Sequence, residues 1–239
     1  MGCPGAHSRS VLGGLNAMNA ANTTNATNMA PAELNAADLA AWIRRSNELV
    51  AEHADELTRL DSAIGDADHG VNMKRGLTSA VEVLDPVPDS PEVVLKKVAM
   101  TLIARVGGAS GPLYGTFFLR MAAVSAGRRG LDLDALVAAV EAGVGGIVQR
   151  GRAEAGDKTM LDAWFPALDS LRSGADLRAA LQAAAAAADA GRAATESMRA
   201  MKGRASYLGE RSIGHIDPGA SSTALIVRAL ADVVDGCAS

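Results

Sequence analysis

The sequence predicts an all-α protein, an antiparallel bundle of eight helices. Aromatic residues make up only 3% of the 239 residues and alanine is abundant, whereas β-strands are normally enriched in aromatic and β-branched residues. Apolar residues recur at helical spacing along most of the chain. Proline, glycine and capping residues divide that pattern into segments of helical length.

The first three helices have clear start and stop signals. Asn35 is predicted to cap the first helix, which continues to Asp61 and places this carboxylate at its end. The second helix is broken by Pro86, and Pro91 occupies the first helical position of the third. The eight predicted helices cover 35–61, 72–84, 91–106, 112–124, 132–150, a stretch that begins near 158, 176–201 and 219–235.

The remaining five helices follow glycine-bearing turns. Pro112 opens the fourth and Asp132 the fifth, while the sixth begins near Lys158. The seventh is long and rich in alanine, and the last begins near Gly219 after a polar loop that is unusually long for a compact domain.

Four of the seven connections carry distinctive residues, and all four are expected at one end of the bundle. They are the first, third, fifth and seventh connections, at 61–72, 107–111, 151–160 and 203–219. Alternate loops of an antiparallel bundle emerge at the same end. The sequence therefore predicts a single site built from these four loops.

Charge and hydropathy exclude two classes of partner. The 27 acidic and 23 basic residues give a net charge of -4 and are mixed along the chain, so there is no basic stripe for nucleic acid. No run of 18 apolar residues exists, which argues against a membrane span. Nucleic-acid and membrane partners are not expected.

The ends of the chain suggest a cytoplasmic protein. Residues 1–33 are rich in polar and small residues and lack the apolar core of a signal peptide, so we expect a disordered tail before one domain over 34–239. Cys3 and Cys237 belong to no metal or disulfide motif and are expected to be reduced thiols.

The acidic segment 61–73 is the chemical centre of the sequence. Asp61, Asp66 and Asp68 lie within eight residues, and carboxylates about 6 Å apart repel by roughly 3 kcal/mol per pair at a dielectric near 20, which favours a bound cation over a solvated turn. Leu77 stands where an EF-hand starting at Asp66 needs glutamate, so that calcium site is excluded. A two-ion Mg²⁺ site completed by phosphate oxygens fits better.

The next two segments suggest anion contacts at helix N-termini. His69 and Asn72 precede or open a helix beside the three acids and are predicted to contact a nucleotide, although an isolated histidine of this kind is more often structural. The glycine-rich segment 107–111 offers unhindered amides before another helix. It is either an ordinary interhelical turn or a phosphate cradle.

The segment 151–159 is a near match to a P-loop that we reject. A P-loop has glycine directly before Lys-Thr and follows a β-strand, whereas Lys158 follows Asp157 and Gly151 ends a helical pattern. Met160 and apolar neighbours still offer a surface to an adenine ring.

The loop 202–219 is basic and punctuated by glycine. Its arginine and lysine side chains are either surface charge or groups that close over phosphates, and arginine suits the stabilisation of a transferring phosphoryl group. His215 is a phosphate contact or a loop hydrogen-bonder, and we do not predict it to be a nucleophile.

Together the motifs resemble the nucleotide-binding L subunit of bacterial dihydroxyacetone kinase. The matching segments are 60–73 with Asp-Ala-Asp-His-Gly inside it, 106–115, 156–160 and 202–219, and the resemblance extends from about residue 34 to the C-terminus. It implies an all-helical antiparallel barrel of eight helices with the nucleotide at one end.

The resemblance also implies a set of site residues. Asp61, Asp66 and Asp68 would bind two Mg²⁺ ions that bridge the phosphates of ADP or ATP. The resemblance leaves open whether Arg204 or Arg211 contacts phosphate, and no residue is expected to be a covalent catalyst. The residues expected around the nucleotide are His69, Asn72, Ala109, Ser110, Gly151, Met160, Arg211, Asp217 and Gly219.

The form of the motifs is more similar to the phosphotransferase-system type than to single-chain ATP-dependent kinases. In that type ADP stays bound, a phosphocarrier M subunit rephosphorylates it in place, and ATP then donates to dihydroxyacetone on a separate K subunit. The resemblance therefore implies a phosphoenolpyruvate-dependent phosphotransferase with K and M partners. A homodimer is a further expectation. Two alternatives are an ATP-exchanging kinase subunit for another small ketose or sugar-like substrate and a nucleotide-dependent regulator of a transcription factor.

Overall fold

The computed structural model of the protein describes residues 33–236. The tail expected over 1–33 lies outside the described residues apart from Glu33, and so do Cys3 and Cys237. Two short strands, β1 (Leu34–Asn35) and β2 (Gly130–Leu131), pair antiparallel with Leu34 opposite Leu131. The α-helices of the described part are α1 (Ala36–Glu52), α2 (Ala54–Ile64), α3 (His69–Glu82), α4 (Pro91–Arg105), α5 (Ser110–Val124), α6 (Leu133–Gly151), α7 (Leu161–Arg172), α8 (Leu177–Ala194) and α9 (Pro218–Val234).

Eight of these helices form a closed ring, which confirms the predicted all-α barrel. Following the chain, α1 packs on α3, each helix from α3 to α9 packs on the next, and α9 packs back on α1. The short helix α2 lies outside this ring and packs on α3 and α9. The predicted order of helices therefore becomes the order of neighbours around the barrel.

Aromatic side chains from three helices meet inside the barrel. The rings of Phe117 and Trp164 stack with centroids 4.3 Å apart, and Phe118 lies 5.4 Å from Trp42. The indole N–H of Trp42 donates to the carbonyl oxygen of Ile226 at 2.8 Å, which ties α1 to α9. Within residues 33–236 no helix combines the length and apolar character needed to cross a lipid bilayer.

Side-chain caps start most of the helices where the sequence predicted them. Asn35 forms a capping box with Asp38 at the start of α1. Ser90, Asp132 and Asp176 accept from backbone N–H groups of the first turns of α4, α6 and α8.

The predicted first helix is in fact two helices, and this is the main correction to the fold. The helix is interrupted at His53, whose backbone N–H and Nδ1 both bond to the carbonyl oxygen of Leu49. The acidic pair Asp55 and Glu56 then starts α2, where the exposed N–H groups favour negative charge. The break leaves the apolar spacing intact, so periodicity alone could not reveal it.

The alanine pattern predicts a helix that continues to 201, but α8 ends at Ala194. Residues Thr195–Ser197 form a 3-10 turn, and Met198 is extended. The predicted loop after it contains a second 3-10 helix, Arg204–Ser212, kinked at Gly209. These changes come from tertiary contacts of Thr195 and Met198, described below, that no local pattern encodes.

Candidate functional site

The four loops singled out in the sequence line one cavity of about 380 Å³. The loop between α2 and α3 contributes the acidic residues, and the loop between α4 and α5 contributes glycine and serine. The segments before α7 and before α9 complete the wall. The prediction that alternate connections meet at one end of the bundle is confirmed.

The three aspartates form a compact cluster of oxygen ligands. One carboxylate oxygen from each of Asp61, Asp66 and Asp68 lies within 4.8 Å of the other two. Asp61 is buried and the other two are exposed. Because the cluster contains only hard oxygen donors, its chemistry suits Mg²⁺ or Ca²⁺ rather than zinc.

Backbone hydrogen bonds hold Asp61 in this cluster. Its Oδ2 atom accepts from the N–H groups of Asp68 at 2.8 Å and His69 at 3.1 Å. A Cβ atom at Gly65 would lie 2.0 Å from Oδ1 of Asp61, so glycine is required where the loop folds back over that carboxylate. Ala67 adopts φ 63° to turn the chain between the other two ligands.

One arginine, on the 3-10 helix between α8 and α9, reaches the cluster. Arg204 Nη2 lies 3.0 Å from Asp66 Oδ2, with 68% of the arginine side chain exposed. An exposed pair of this kind is worth only about 0–1 kcal/mol. Arg204 is therefore beside the carboxylate cluster without being fixed there by a strong bond.

His69 links three helices through hydroxyl groups. Its Nε2 lies 2.9 Å from Ser222 Oγ and its Nδ1 lies 3.2 Å from Ser110 Oγ. Ser222 is in turn 2.7 Å from the hydroxyl of Tyr114. Burial lowers the pKa of His69, although the charges of Asp61 and Asp68 act in the opposite direction. The imidazole thus connects the starts of α3 and α5 to α9.

The glycine segment before α5 packs closely against the chain around it. A Cβ atom at Gly107 would lie 2.9 Å from Asn72 Nδ2, and one at Gly111 would lie 2.3 Å from the carbonyl oxygen of Val106. Gly108 has φ 65°. These constraints explain the glycine run and leave Ala109 and Ser110 on the cavity wall.

Part of the cavity wall is apolar. Leu113, Ile147, Ala153 and Met160 line it, and a Cβ atom at Gly219 would lie 3.6 Å from the Cβ atom of Met160. A flat base fits such a surface better than a phosphate does.

The cavity wall includes every predicted site residue except Arg211. Arg211 is exposed and lies at the end of the 3-10 helix. Arg204, which the sequence left as the other choice, lines the cavity together with Lys202 and Gly203. The motif indicated a basic loop but not which side chain points to the acidic cluster.

Asp217 caps α9 and lies partly buried in the cavity wall. Its Oδ2 accepts from the N–H of Ala220 at 2.7 Å. Burial raises the pKa of Asp217 to about 7; the Ala220 hydrogen bond opposes this shift, Asp162 adds to it and Lys158 opposes it. Its charge is therefore unfavourable in the folded protein without ligand.

Asp217→Asn is expected to stabilise the ligand-free protein progressively as the pH rises. Because folding raises the pKa of this acid, the protein loses stability as the pH rises from the unfolded pKa, 3.8, to the folded pKa, about 7. Asparagine keeps the cap without this loss. From pH 5 to 8 the unfolding free energy of the variant should gain about 2–3 kcal/mol relative to wild type. Urea unfolding measures it, with Asp132→Asn at an exposed cap as control; a pH-independent difference would contradict the expectation.

Lys158 has a structural environment that the sequence did not indicate. It is 1% exposed, has φ 61°, and its Nζ lies within hydrogen-bond distance of four backbone carbonyl oxygens, among which its three N–H groups are shared. The rejection of a P-loop here agrees with this geometry: Lys158 lines the cavity, but its ammonium is bonded to backbone carbonyl oxygens of the protein. The only sequence signal was a lysine in a polar loop between helices.

Comparisons with known proteins agree with the fold and the cavity. Residues 63–232 match the model of the DAK2 domain. The chain is 45% identical over 203 residues to the ADP-binding subunit DhaL of the PEP-dependent dihydroxyacetone kinase of Escherichia coli K12, covering 83% of this chain and 97% of that one. It is 44% identical over 195 residues to the ADP-binding subunit DhaL of the PTS-dependent dihydroxyacetone kinase of Lactococcus lactis, covering 81% and 95%.

A solved structure is also similar. The dihydroxyacetone kinase of C. freundii in complex with AMP-PNP and Mg²⁺ matches with a TM-score of 0.65 and 25% sequence identity. The match covers 91% of this chain and 38% of that one. The helical barrel is therefore shared with a protein that binds a nucleotide and magnesium.

Proposed function

The chain belongs to the DAK2 domain family, and from this premise we propose that it is the ADP/ATP-binding phosphoryl-transfer subunit of a dihydroxyacetone kinase. The observation that carries the proposal is a single cavity lined both by the carboxylate cluster and by apolar side chains. A nucleotide fits this polarity with its phosphates towards the aspartates and its base against Met160. The domain that does this extends over 34–239, and its helices share one hydrophobic core.

The cluster fits two Mg²⁺ ions better than one. A single protein-bound Mg²⁺ usually takes one or two carboxylates and fills its other positions with water and phosphate oxygens. Asp61, Asp66 and Asp68 offer three carboxylates within 4.8 Å, and Asp61 Oδ2 already accepts two N–H groups. Bound magnesium would neutralise phosphate charge during transfer.

The side chains of this subunit position and stabilise rather than react covalently. Phosphoryl transfer depends mainly on the alignment of the reactants and on charge neutralisation. Ser110 and His69 lie at helix N-termini where backbone N–H groups favour phosphate. Arg204 is 3.0 Å from a metal-ligand carboxylate and so can reach the transferring group.

The substrate and partners follow from the type of kinase. Dihydroxyacetone is proposed to sit on a separate K subunit, with a phosphocarrier M subunit that rephosphorylates bound ADP from phosphoenolpyruvate. The support is the 45% identity to a subunit of the PEP-dependent enzyme, of which the chain covers 97%, whereas it covers 38% of the C. freundii kinase. A cytoplasmic location and a homodimer remain predictions from the sequence. The other candidates are an ATP-exchanging subunit for another small ketose and a regulator of a transcription factor.

Identification of the bound nucleotide and metal tests the proposal. The protein is purified gently, denatured, and the released nucleotide and metal are quantified. We expect ADP near one per chain and about two Mg²⁺ per ADP, and finding neither would contradict the proposal. Rapid exchange of bound ADP with free ATP would favour the ATP-exchanging alternative, while tight ADP with phosphoenolpyruvate-dependent turnover supports the proposed type. A complex with a transcription factor that forms without either kinase partner would favour the regulator.

A further inference from the structure

The 195–217 segment, between α8 and α9, is wrapped around one buried lysine. Lys158 Nζ donates to the carbonyl oxygens of Thr195 at 2.7 Å, Ser212 at 2.8 Å and Met198 at 3.1 Å. It also donates to the carbonyl oxygen of His215. Two of these acceptors precede the 3-10 helix that carries Arg204, Ser212 is its last residue, and His215 follows it. The ammonium group of Lys158 therefore contacts residues near both ends of the segment.

Other bonds show that the segment closes on itself around this lysine. The N–H of Gly214 donates to the carbonyl oxygen of Glu196 at 2.8 Å, and the N–H of Asp217 donates to Thr195 Oγ1 at 3.0 Å. The N–H of Met201 donates to the carbonyl oxygen of Asp157, next to the lysine, at 3.0 Å. These three hydrogen bonds and the Lys158 contacts therefore depend on the same backbone conformation of the segment.

The surroundings of Lys158 have opposing effects on the pKa of its ammonium group. Burial lowers the pKa of its ammonium, and the nearby acids Asp217 and Glu196 oppose that shift. The carbonyl oxygens would be poorly satisfied if the ammonium were removed, because buried carbonyl groups need donors. A neutral side chain of the same length could fill the space but not hold the carbonyls together.

Arg204 is held in place mainly through the residues next to it in its segment. Ala205 packs with Ile64 at the end of α2 and with Ala200, while Leu208 covers this small cluster. Arg204 itself is exposed and joined to Asp66 by one weak ion pair. The position of Arg204 therefore depends on the backbone of its segment more than on its own side-chain contacts.

We propose that Lys158 is a positioning residue for phosphoryl transfer: through its four carbonyl contacts it folds the 195–217 segment against the cavity and so holds Arg204 beside the metal-ligand aspartates. The role given to Arg204 in this inference rests on the proposed function. The stabilisation of the segment by Lys158 does not depend on that function. A misplacement of about 1 Å at a catalytic group can cost about 100-fold in rate.

The test compares Lys158→Met with Lys97→Met. Lys97 is an exposed lysine that donates to a single carbonyl oxygen, that of Val83, and serves as the matched control. Trypsin can cut the segment at Arg199, Lys202, Arg204 and Arg211. We expect the Lys158 variant to keep its helical content and to be cut within the segment at least about 10-fold faster than wild type or the control. Equal cleavage rates would overturn the proposal.

Activity in the kinase reconstituted with its partner subunits gives the second readout. Lys158→Met should lower kcat by about 10- to 100-fold while the Kd for Mg-ADP changes much less, because the aspartates lie on α2 and on the loop before α3. Lys158→Met in an Arg204→Ala background should add almost nothing to the loss from Arg204→Ala. Losses that multiply would overturn the proposal, since Lys158 would then act independently of Arg204.

Hydrogen exchange of the wild-type protein covers the case in which the variant does not fold. The amides of Met201, Gly214 and Asp217 are expected to open together, at a free energy below that of the barrel helices. Opening at unrelated rates, or only with global unfolding, would overturn the proposal. Neither proteolysis nor hydrogen exchange needs a substrate. A protein purified without ADP would therefore contradict the proposed function, while these two measurements would still test whether Lys158 stabilises the segment.

Discussion

Replacing Asp66 or Asp68 with alanine is expected to abolish the metal-dependent retention of ADP while leaving the helices intact. Each aspartate is one of three carboxylates within 4.8 Å, and both lie between the end of α2 and the start of α3. Loss of a residue that only supports a metal ligand typically costs 10- to 100-fold in affinity. For a ligand itself we expect the Kd for Mg-ADP to rise by about 100-fold or more, as measured by calorimetry.

The stability of these variants provides an independent check. Without metal, removing one of three mutually repelling carboxylates should leave the melting temperature unchanged or raise it. With Mg²⁺ and ADP, wild type should gain stability and the variants should not. Asp89→Ala, at an exposed acid in the connection between α3 and α4, is the control. Wild-type nucleotide content in the Asp66 or Asp68 variant would show that the metal assignment is wrong.

Replacing Arg204 with alanine is expected to reduce kcat by about 100-fold or more while changing the Kd for ADP far less. An arginine that stabilises a transferring phosphoryl group contributes mainly in the transition state and is commonly worth 10³- to 10⁵-fold in rate. The exposed pair with Asp66 contributes little to stability, so the variant should fold normally. Steady-state kinetics of the reconstituted kinase, together with ADP binding, separates the two effects.

The comparison with Arg211 decides between the two arginines that the sequence left open. Arg211 is exposed and does not line the cavity, so Arg211→Ala should change kcat far less than Arg204→Ala. A larger loss from Arg211→Ala would restore the assignment favoured by the resemblance. Arg204→Lys keeps the charge but not the planar guanidinium, and we expect it to recover only part of the activity.

The barrel was predictable because its signals are local and repeated. Capping residues such as Asn35, Ser90 and Asp132 start helices where the sequence placed them. Short connections then force neighbours in sequence to become neighbours in space. The break at His53 was missed since a single residue between α1 and α2 preserves the apolar spacing from Val50 to Leu57.

The site was predictable only in part, for a related reason. The aspartates and Gly65 act within one short loop, so their pattern is visible in the sequence. The choice of Arg204 over Arg211 and the contacts of Lys158 depend on residues between 37 and 138 positions away. Only the tertiary arrangement decides which basic side chain faces a carboxylate and which faces carbonyl oxygens.

The contacts of Lys158 also bear on the energetic cost of bringing an arginine to a transferring phosphoryl group. A segment that must fold when its ligand arrives commonly uses 2–5 kcal/mol or more of the interaction energy for its own ordering. The 195–217 segment already has an internal cation to fold around, so this cost is met when the protein folds and not during the reaction. The arginine is then in place before the phosphoryl group moves, which is the preorganisation that electrostatic stabilisation of a transition state requires.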